Sequence, residues 1–445
     1  STYNTITSVA ECKINENILY VGTDDGIIQF TKDGGMNWEK MTVDNLPKTP
    51  SSAFVNDIKA DLFNEKTAYV ALDNHKFGDY QPYLFKTTDG GKKWTSITNG
   101  IPDGTLIWRI VQDHINPELL FLGTEYGVYV SLNQGEKWHK FSAGLPTIPV
   151  RDLAIQKREN DLVLATFGRS FYVLDDYSPL RDLNDESINK EAILFAPRKT
   201  LQYNQMYGGS GSSGGATYKA ENPPYGAVFS YYLKEGHTSK RAKRQKSEFS
   251  EKADQLILEK INKNGYKTPS SIIEEDIETL AKKTEIEKEK LNKLIKIIQD
   301  QKSKDIPFPG WQTLDAELNE SKPEIVLIIK NDKGETVEQL SAPYNKGFNR
   351  VSWGLNRKLP TVATIKNNYS DIWTMVEPGI YSVSLHKRLN GILSDLGQSQ
   401  KFEIERIRKN TLSNPLANKH KEYFKSIEIT SFSSLIFSKI IYSLI

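Results

Sequence analysis

Short runs of alternating apolar and polar residues fill the first 180 positions of the chain, and a period of two is typical of β-strands with one buried face. The runs come in four groups with similar spacing. We predict strands at residues 6–12, 18–22, 27–31 and 38–42; 55–60, 68–72, 83–87 and 94–98; 108–112, 119–123, 128–130 and 138–141; and 150–156, 162–166 and 171–174. The pattern therefore predicts four antiparallel units, the last with three strands.

One phrase of the form [ST]-x-[DN]-x-G-x-x-W stands between the third and fourth strands of the first three groups. Its Gly permits a positive φ, and its Asp or Asn can accept bonds from backbone amides just downstream, so the phrase predicts a self-bracing turn. Turn chemistry alone explains the acidic residues, and we assign all twelve positions a structural role. They are Thr31, Asp33, Gly35, Trp38, Thr87, Asp89, Gly91, Trp94, Ser131, Asn133, Gly135 and Trp138.

This phrase resembles the Asp-box, also called the bacterial neuraminidase (BNR) repeat. The chain is similar to Asp-box β-propellers, which include sialidases, xyloglucan-hydrolysing propellers, sortilin-type (VPS10-like) receptors and bacterial BNR/sortilin-like, "glycosyl hydrolase"-labelled proteins. The resemblance implies blades arranged around an axis. It does not imply an activity, since enzymes and non-enzymes share the motif.

Four blades are few for a closed propeller, and the chain enters directly on a blade strand. We expect a partial propeller that is the C-terminal portion of a longer polypeptide, with further blades before Ser1. A complete four-bladed propeller is the alternative, because closed rings have four to eight blades.

The loops between the second and third strands of each blade are expected to share one face with the connections between blades. We predict these loops at residues 23–26, 73–82, 124–127 and 167–170, the second being the longest. Loops on a rigid scaffold commonly carry function. The candidate catalytic residues there are Asp24, Asp73, Asp79 and Glu125, and the candidate binding residues are His75, Tyr80, Tyr126 and Arg169.

The second half of the chain changes in composition. Residues 1–183 are assigned to the propeller, and residues 184–237 to a linker plus the first strand of a β-sandwich. A Lys/Glu-rich helical insertion is predicted at 238–312, as a helical pair or a long charged hairpin. Residues 313–405 resemble the immunoglobulin- or fibronectin-like C-terminal module of the BNR/sortilin-like proteins. Residues 406–445 are expected to be a tail with an apolar helical stripe.

The predicted fold class is thus all-β: a partial β-propeller of four Asp-box-type blades, then a β-sandwich with an inserted charged helical segment. The balance of 58 basic and 56 acidic residues offers no electrostatic case for a nucleic-acid partner. No run is long enough for a membrane span. The single cysteine, Cys12, and the six scattered histidines make no metal site, and we expect no cofactor. Oligomeric state is left open.

Two functional hypotheses remain. We favour a non-catalytic protein whose propeller face binds a protein, a peptide or a glycan outside the cytoplasm, the secreted location being implied by the resemblance. The alternative is a glycoside hydrolase, which needs a pair of carboxylates across a groove. A sialidase would need several arginines around a carboxylate and a Tyr nucleophile with an acidic partner. Although Arg109, Arg151 and Arg169 are present, no such Tyr pairing is evident.

Overall fold

The computed structural model describes residues 5–142, 144–184, 186–203, 220–245, 255–266, 269–302, 309–358 and 373–407. These residues divide into two compact units. The first contains the residues up to Asn189, together with 220–223, and the second contains Lys190–Tyr203 and the residues from Pro224 onward. Cys12 is buried in the first unit. No helix among the described residues is long and apolar enough to cross a membrane.

The first unit consists of four antiparallel sheets in which strands pair in the order of the chain. Each sheet is a blade, and the strands of the four blades are β1 Ile6–Glu11, β2 Leu19–Thr23, β3 Ile27–Thr31 and β4 Glu39–Thr42; β5 Phe54–Ala60, β6 Ala68–Asn74, β7 Asp79–Thr87 and β8 Thr95–Ser96; β9 Ile107–Gln112, β10 Leu120–Thr124, β11 Gly127–Ser131 and β12 His139–Phe141; and β13 Val150–Gln156, β14 Asp161–Thr166 and β15 Phe171–Leu174. This is the β-propeller architecture that the apolar pattern predicts.

The first strand of each blade is the innermost, and the blades pack face to face. Hydrogen bonds cross from one first strand to the next, as when Thr7 Oγ1 donates to Val55 O at 2.7 Å. Separate apolar cores fill the three spaces between consecutive blades. Residues such as Tyr20, Leu72 and Phe121 are almost fully buried there. Burial on both sheet faces explains why the central strands have such apolar sequences.

The three repeated turns have the hydrogen bonds that their residues predict. In blade 1, Thr31 Oγ1 donates to Asp33 Oδ1 at 2.8 Å and accepts from Gly35 N at 3.0 Å. Asn37 N donates to the same carboxylate at 2.9 Å, and the indole of Trp38 donates to Gly35 O at 3.0 Å. Hydrogen bonds to its carboxylate from the Asn37 backbone, the Asn37 side chain and the Thr31 hydroxyl lower the pKa of Asp33 to about 2.

The third turn differs in its tryptophan. The indole of Trp94 in blade 2 bonds within its own turn, to Gly91 O at 3.2 Å. The indole of Trp138 in blade 3 instead donates to Ile97 O of blade 2 at 2.7 Å. This ring is 2% exposed and belongs to the core between the two blades. The third tryptophan therefore joins neighbouring blades as well as bordering its turn.

The longest predicted loop is mostly strand, which corrects that prediction. Strand β6 continues to Asn74 and strand β7 begins at Asp79, so the connection is only residues 75–78, a short 3-10 turn. Asp79 accepts hydrogen bonds from Tyr83 OH at 2.7 Å and from Asn74 Nδ2 at 3.3 Å. These polar side chains support a longer hairpin, which a count of apolar residues could not reveal.

The second unit is a β-sandwich. One sheet has the order β16-β18-β21 and the other β17-β25-β24-β19-β20. Their common core includes Phe229, Leu327, Trp353 and Phe402. The strands are β16 Ala192–Leu194, β17 Thr200–Gln202, β18 Ala227–Leu233, β19 Glu324–Lys330, β20 Thr336–Ala342, β21 Gly347–Trp353, β24 Gly379–Leu389 and β25 Ile392–Arg406, with the small pair β22 Asn356–Lys358 and β23 Trp373–Met375 beside them. The first two lie in the segment interpreted as a linker.

Helices occupy the predicted insertion. They are short and more numerous than the predicted pair among the described residues, and they lie at Gln255–Lys263, Pro269–Ile273, Ile277–Thr284 and Lys288–Lys302. Leu280, Leu291 and Ile298 are buried in a core shared by these helices. A further helix, Trp311–Leu318, crosses the predicted boundary at 312. The Gly-rich segment at 208–215 and the predicted helical tail from residue 408 onward lie outside the described residues.

Candidate functional site

The loops between second and third strands meet the inter-blade connections on one face of the first unit. We call this the loop face, and define it by residues 24–26, 75–78, 125–126 and 167–170 together with the connection 51–53. The repeated turns lie at the other ends of the strands. For example, Gly34 N of the repeated turn in blade 1 donates to Asn17 O at 3.0 Å, and Asn17 lies in the connection between β1 and β2. The acidic residues of those turns are therefore not part of the loop face.

A cavity of about 230 Å³ opens on the loop face between blades 1 and 2. Three carboxylates and two aromatic rings contribute to its wall. The lining residues are Asp24, Asp25, Ser51, Ser52, Phe54, Asp73, Asn74, Lys76 and Phe77. The cavity thus combines two predicted candidates, Asp24 and Asp73, with residues from the connection between the blades.

The carboxylates of this cavity already accept hydrogen bonds. Asp24 accepts from Thr5 N at 2.9 Å. Asp73 is 1% exposed and accepts from His75 N at 3.2 Å, while the His75 ring nitrogen Nδ1 makes a close contact with the same oxygen. The His75 ring also contacts Trp108 in a T-shaped arrangement, with ring centroids 5.8 Å apart. His75 therefore links the cavity to a second cluster in blade 3.

That second cluster is centred on Trp108. The indole Nε1 donates to Glu125 Oε2 at 3.0 Å, and the guanidinium of Arg151 lies 3.6 Å from the ring centroid. Trp108 is 7% exposed, whereas the Arg151 side chain is 44% exposed. Phe167 approaches the same guanidinium at 5.7 Å. The cluster presents a cation supported by an aromatic ring, a favourable arrangement for a half-exposed arginine.

A β-bulge at an equivalent position in each first strand creates this arrangement. The register shifts leave Thr7, Asn56, Trp108 and Arg151 as the extra residues of blades 1 to 4. Bulges re-aim side chains and are frequent near functional sites. In blades 1 and 2 the bulged side chain donates to a backbone carbonyl of the next blade. In blades 3 and 4 the two bulged side chains, Trp108 and Arg151, stack on each other instead. The hydrogen bond to the next blade is therefore not repeated there.

The residues following the bulges form a polar chain along the inner strands. Ser8 Oγ donates to the buried carboxylate of Asp57 at 3.3 Å. Arg109 lies between Asp57 and Asp152, with nitrogen–oxygen distances of 3.2 Å to each. Burial raises the pKa of Asp57, although Lys59, Arg109 and the amide of Ile110 oppose that rise. This carboxyl group holds three blades together from inside.

The remaining candidates make no common cluster among the described residues. Burial raises the pKa of Asp79, but hydrogen bonds from Tyr83, from the amide of Gln81 and from Asn74 outweigh it and hold that pKa below its usual value. Asp79 therefore stays ionised at neutral pH. Tyr80 and Tyr126 are 53% and 47% exposed. Arg169 is also exposed, in the loop of blade 4.

Sequence reasoning missed Trp108, Arg151, Phe77 and Lys76 as site residues. The first two were assigned to strands, and nothing in a one-dimensional pattern distinguishes a bulged position from a regular one. No group of three or more His, Cys, Asp or Glu residues in the described parts of the chain could hold a metal ion.

No protein-family model and no curated protein match the chain. Solved structures resemble parts of it. A GH74 enzyme from Niastella koreensis is 17% identical over 40% of this chain and 29% of its own, with a TM-score of 0.33. The protein in "YCF48 bound to D1 peptide" is 18% identical over 39% and 52%, with a TM-score of 0.30. The GH74 xyloglucanase from Xanthomonas campestris is 13% identical over 51% and 35%, with a TM-score of 0.32.

The chain thus spans 29% and 52% of the lengths of the first two structures. TM-scores this low support no inference about activity. The architecture of the first unit therefore rests on its own sheets and cores, and its function on the geometry of the loop face.

Proposed function

We propose that the first unit is a non-catalytic binding module whose loop face holds a protein, a peptide or a glycan. The observation that carries the proposal is the cluster of Trp108, Arg151 and Glu125, which interrupts a repeated blade contact and presents a half-exposed cation on an aromatic ring. Exposed Phe77, Tyr126 and Phe167 lie on the same loop face. Aromatic and Arg side chains are enriched where proteins bind partners.

The state of the candidate acids also favours binding over catalysis. A glycosidase needs one carboxyl group that is protonated at working pH and one that is ionised. Asp79 is held ionised by its neighbours. Asp24 and Asp73 accept hydrogen bonds from the local backbone, and Glu125 accepts from the Trp108 indole. Each of these acids thus has a structural partner that accounts for its position.

A glycoside hydrolase is the second candidate, and one observation favours it. Asp24, Asp25 and Asp73 line the same cavity of about 230 Å³. If two of them faced each other across a bound sugar, they could act as acid and base or nucleophile. Hydrolysis of a chromogenic glycoside that is abolished by Asp24→Asn and by Asp73→Asn would establish this activity.

The test of the binding proposal is a screen of glycan and peptide arrays, followed by variants. Arg151→Ala should weaken binding of any ligand found by about tenfold or more, because hot-spot arginines contribute on that scale. Lys32→Ala is the matched control, since this exposed residue lies at the opposite face beside the blade 1 turn. Binding that is unaffected by Arg151→Ala would place the ligand elsewhere and reject this site.

We further propose that the chain belongs with the bacterial BNR/sortilin-like Asp-box proteins and acts outside the cytoplasm. The support is the three turns with their matching Thr or Ser, Asp or Asn, and Gly hydrogen bonds. Cell fractionation of the source organism with an antibody to the chain tests the location, and recovery in the cytoplasmic fraction alone would reject it.

A further inference from the structure

In the part of the chain that the structure describes, no strand pairs with the outer edge of β15 in blade 4. Blades 1 to 3 each have a fourth strand beside the third, whereas β15 pairs only with β14 among the described residues. Its side chains Phe171 and Val173 are 70% and 54% exposed. An uncovered apolar edge strand is a template for pairing with another chain.

The backbone groups that face this edge can be identified from the hairpin. Thr166 N donates to Ser170 O at 3.0 Å, so this pair is hydrogen-bonded across the hairpin. Bonded and non-bonded pairs alternate in an antiparallel ladder, and Tyr172 and Leu174 therefore direct their N–H and C=O groups toward β14. Phe171 and Val173 direct theirs toward the open edge.

The residues around this edge are self-complementary. Arg169 precedes β15, and Asp175 and Asp176 follow it. If a second copy pairs antiparallel about a two-fold axis at Tyr172, Phe171 of one copy lies opposite Val173 of the other. The hairpin turn with Arg169 then lies beside the acidic end of the second strand. Aromatic and β-branched residues paired across strands stabilise a sheet, as do opposite charges.

We propose that β15 is a dimerisation edge, where two copies of this chain join their fourth blades into one continuous antiparallel sheet. Each pair of Phe171 and Val173 exchanges two backbone hydrogen bonds across the two-fold axis. The self-complementary charges favour a second copy over an unrelated strand. A contact this short lies at the small end of protein interfaces, so the dimer should exchange reversibly with monomer.

Sedimentation velocity of the whole chain over a wide concentration range tests the proposal. The wild type should show a reversible monomer–dimer equilibrium. Val173→Pro removes an edge N–H without disturbing the ladder to β14, and it should weaken dimerisation about tenfold or more. Val173→Thr is the matched control, because it keeps the N–H and β-branching and should dimerise nearly as the wild type does. Circular dichroism verifies that both variants fold.

Charge reversal provides a second, independent test of the dimer. Arg169→Glu alone, or Asp175→Lys with Asp176→Lys, places like charges opposite each other and should weaken self-association. An equimolar mixture of these two proteins should restore a dimer, because each then meets opposite charge. A wild type that stays monomeric throughout, or a dimer insensitive to Val173→Pro and to both reversals, overturns the proposal. Capture of an extended peptide by a monomeric wild type also overturns it and identifies another occupant of the edge.

Discussion

Removing the carboxylate of Asp113 should destabilise the propeller unit more than any surface change. Asp113 is 0% exposed and accepts hydrogen bonds from Arg181 Nε and Nη2, both at 2.8 Å, from Tyr177 OH and from Asn116 N at 2.7 Å. Arg181 and Tyr177 belong to the segment that leaves blade 4, and Asp113 belongs to blade 3. This carboxylate therefore binds the segment that follows β15 to blade 3.

The expected magnitude follows from the burial of the pair. Asp113→Ala leaves the guanidinium of Arg181, whose side chain is 13% exposed, without its main partner. Breaking a buried ion pair in this way costs about 3–5 kcal/mol. Glu39→Ala is the control. The side chain of Glu39 is 65% exposed and that of its partner Lys32 is 44% exposed, and exposed ion pairs contribute about 0–1 kcal/mol to stability.

The measurement is urea denaturation detected by hydrogen-exchange mass spectrometry. Peptides from residues 150–174 report on the unfolding of the propeller unit alone. Burial raises the pKa of Asp113, but Arg181, Tyr177 and Asn116 lower it more, so the folded value lies below the unfolded value. The stabilisation is therefore complete above about pH 4 and is lost as pH falls through the folded pKa. A loss under about 1 kcal/mol at neutral pH would contradict the assigned role of the ion pair.

Two further predictions concern backbone fit and acid stability. Gly123→Ala should lower the free energy of unfolding by about 1–3 kcal/mol, because its new Cβ would lie 2.7 Å from Val150 O in the next blade. Gly354→Ala lies in the second unit and meets no backbone atom, so it should change the free energy of unfolding of that unit by under about 0.5 kcal/mol, read from peptides of that unit. The Asp33 turn should keep its hydrogen bonds until pH falls toward about 2, since the pKa of Asp33 is lowered to about 2. The NMR shift of the Asn37 amide reports this titration, and a midpoint near 4 would contradict it.

Local chemistry explains why much of the fold could be predicted. The turn at Thr31 to Trp38 is stabilised by side chains within four residues of one another, so its conformation follows from the phrase itself. Alternation likewise located strands such as Leu19–Thr23, in which buried and half-buried residues alternate. The same reasoning placed strand Ala227–Leu233 in the sandwich, where it pairs with Gly347–Trp353 across the helical insertion.

The candidate site was predicted only in part. Asp24, His75 and Glu125 do lie on the loop face, because loop positions follow from the strand order, and Asp73 lines its cavity from the end of strand Ala68–Asn74. The extent of the 73–82 hairpin was not foreseen, since it depends on polar contacts of Asp79 rather than on apolar alternation.

The sequence by itself determined the repeated turns, the strand order and the side of the blades on which the loops lie, since these depend on contacts between near neighbours. Only the tertiary structure revealed the bulges that stack Arg151 against Trp108. The same holds for the ion pair between Asp113 and Arg181, which are 68 positions apart. The sequence predicted three strands in the last blade, but only the hairpin register shows that Phe171 and Val173 direct their backbone groups away from β14. Contacts between distant residues depend on how whole sheets pack, and no periodicity along the chain records that packing.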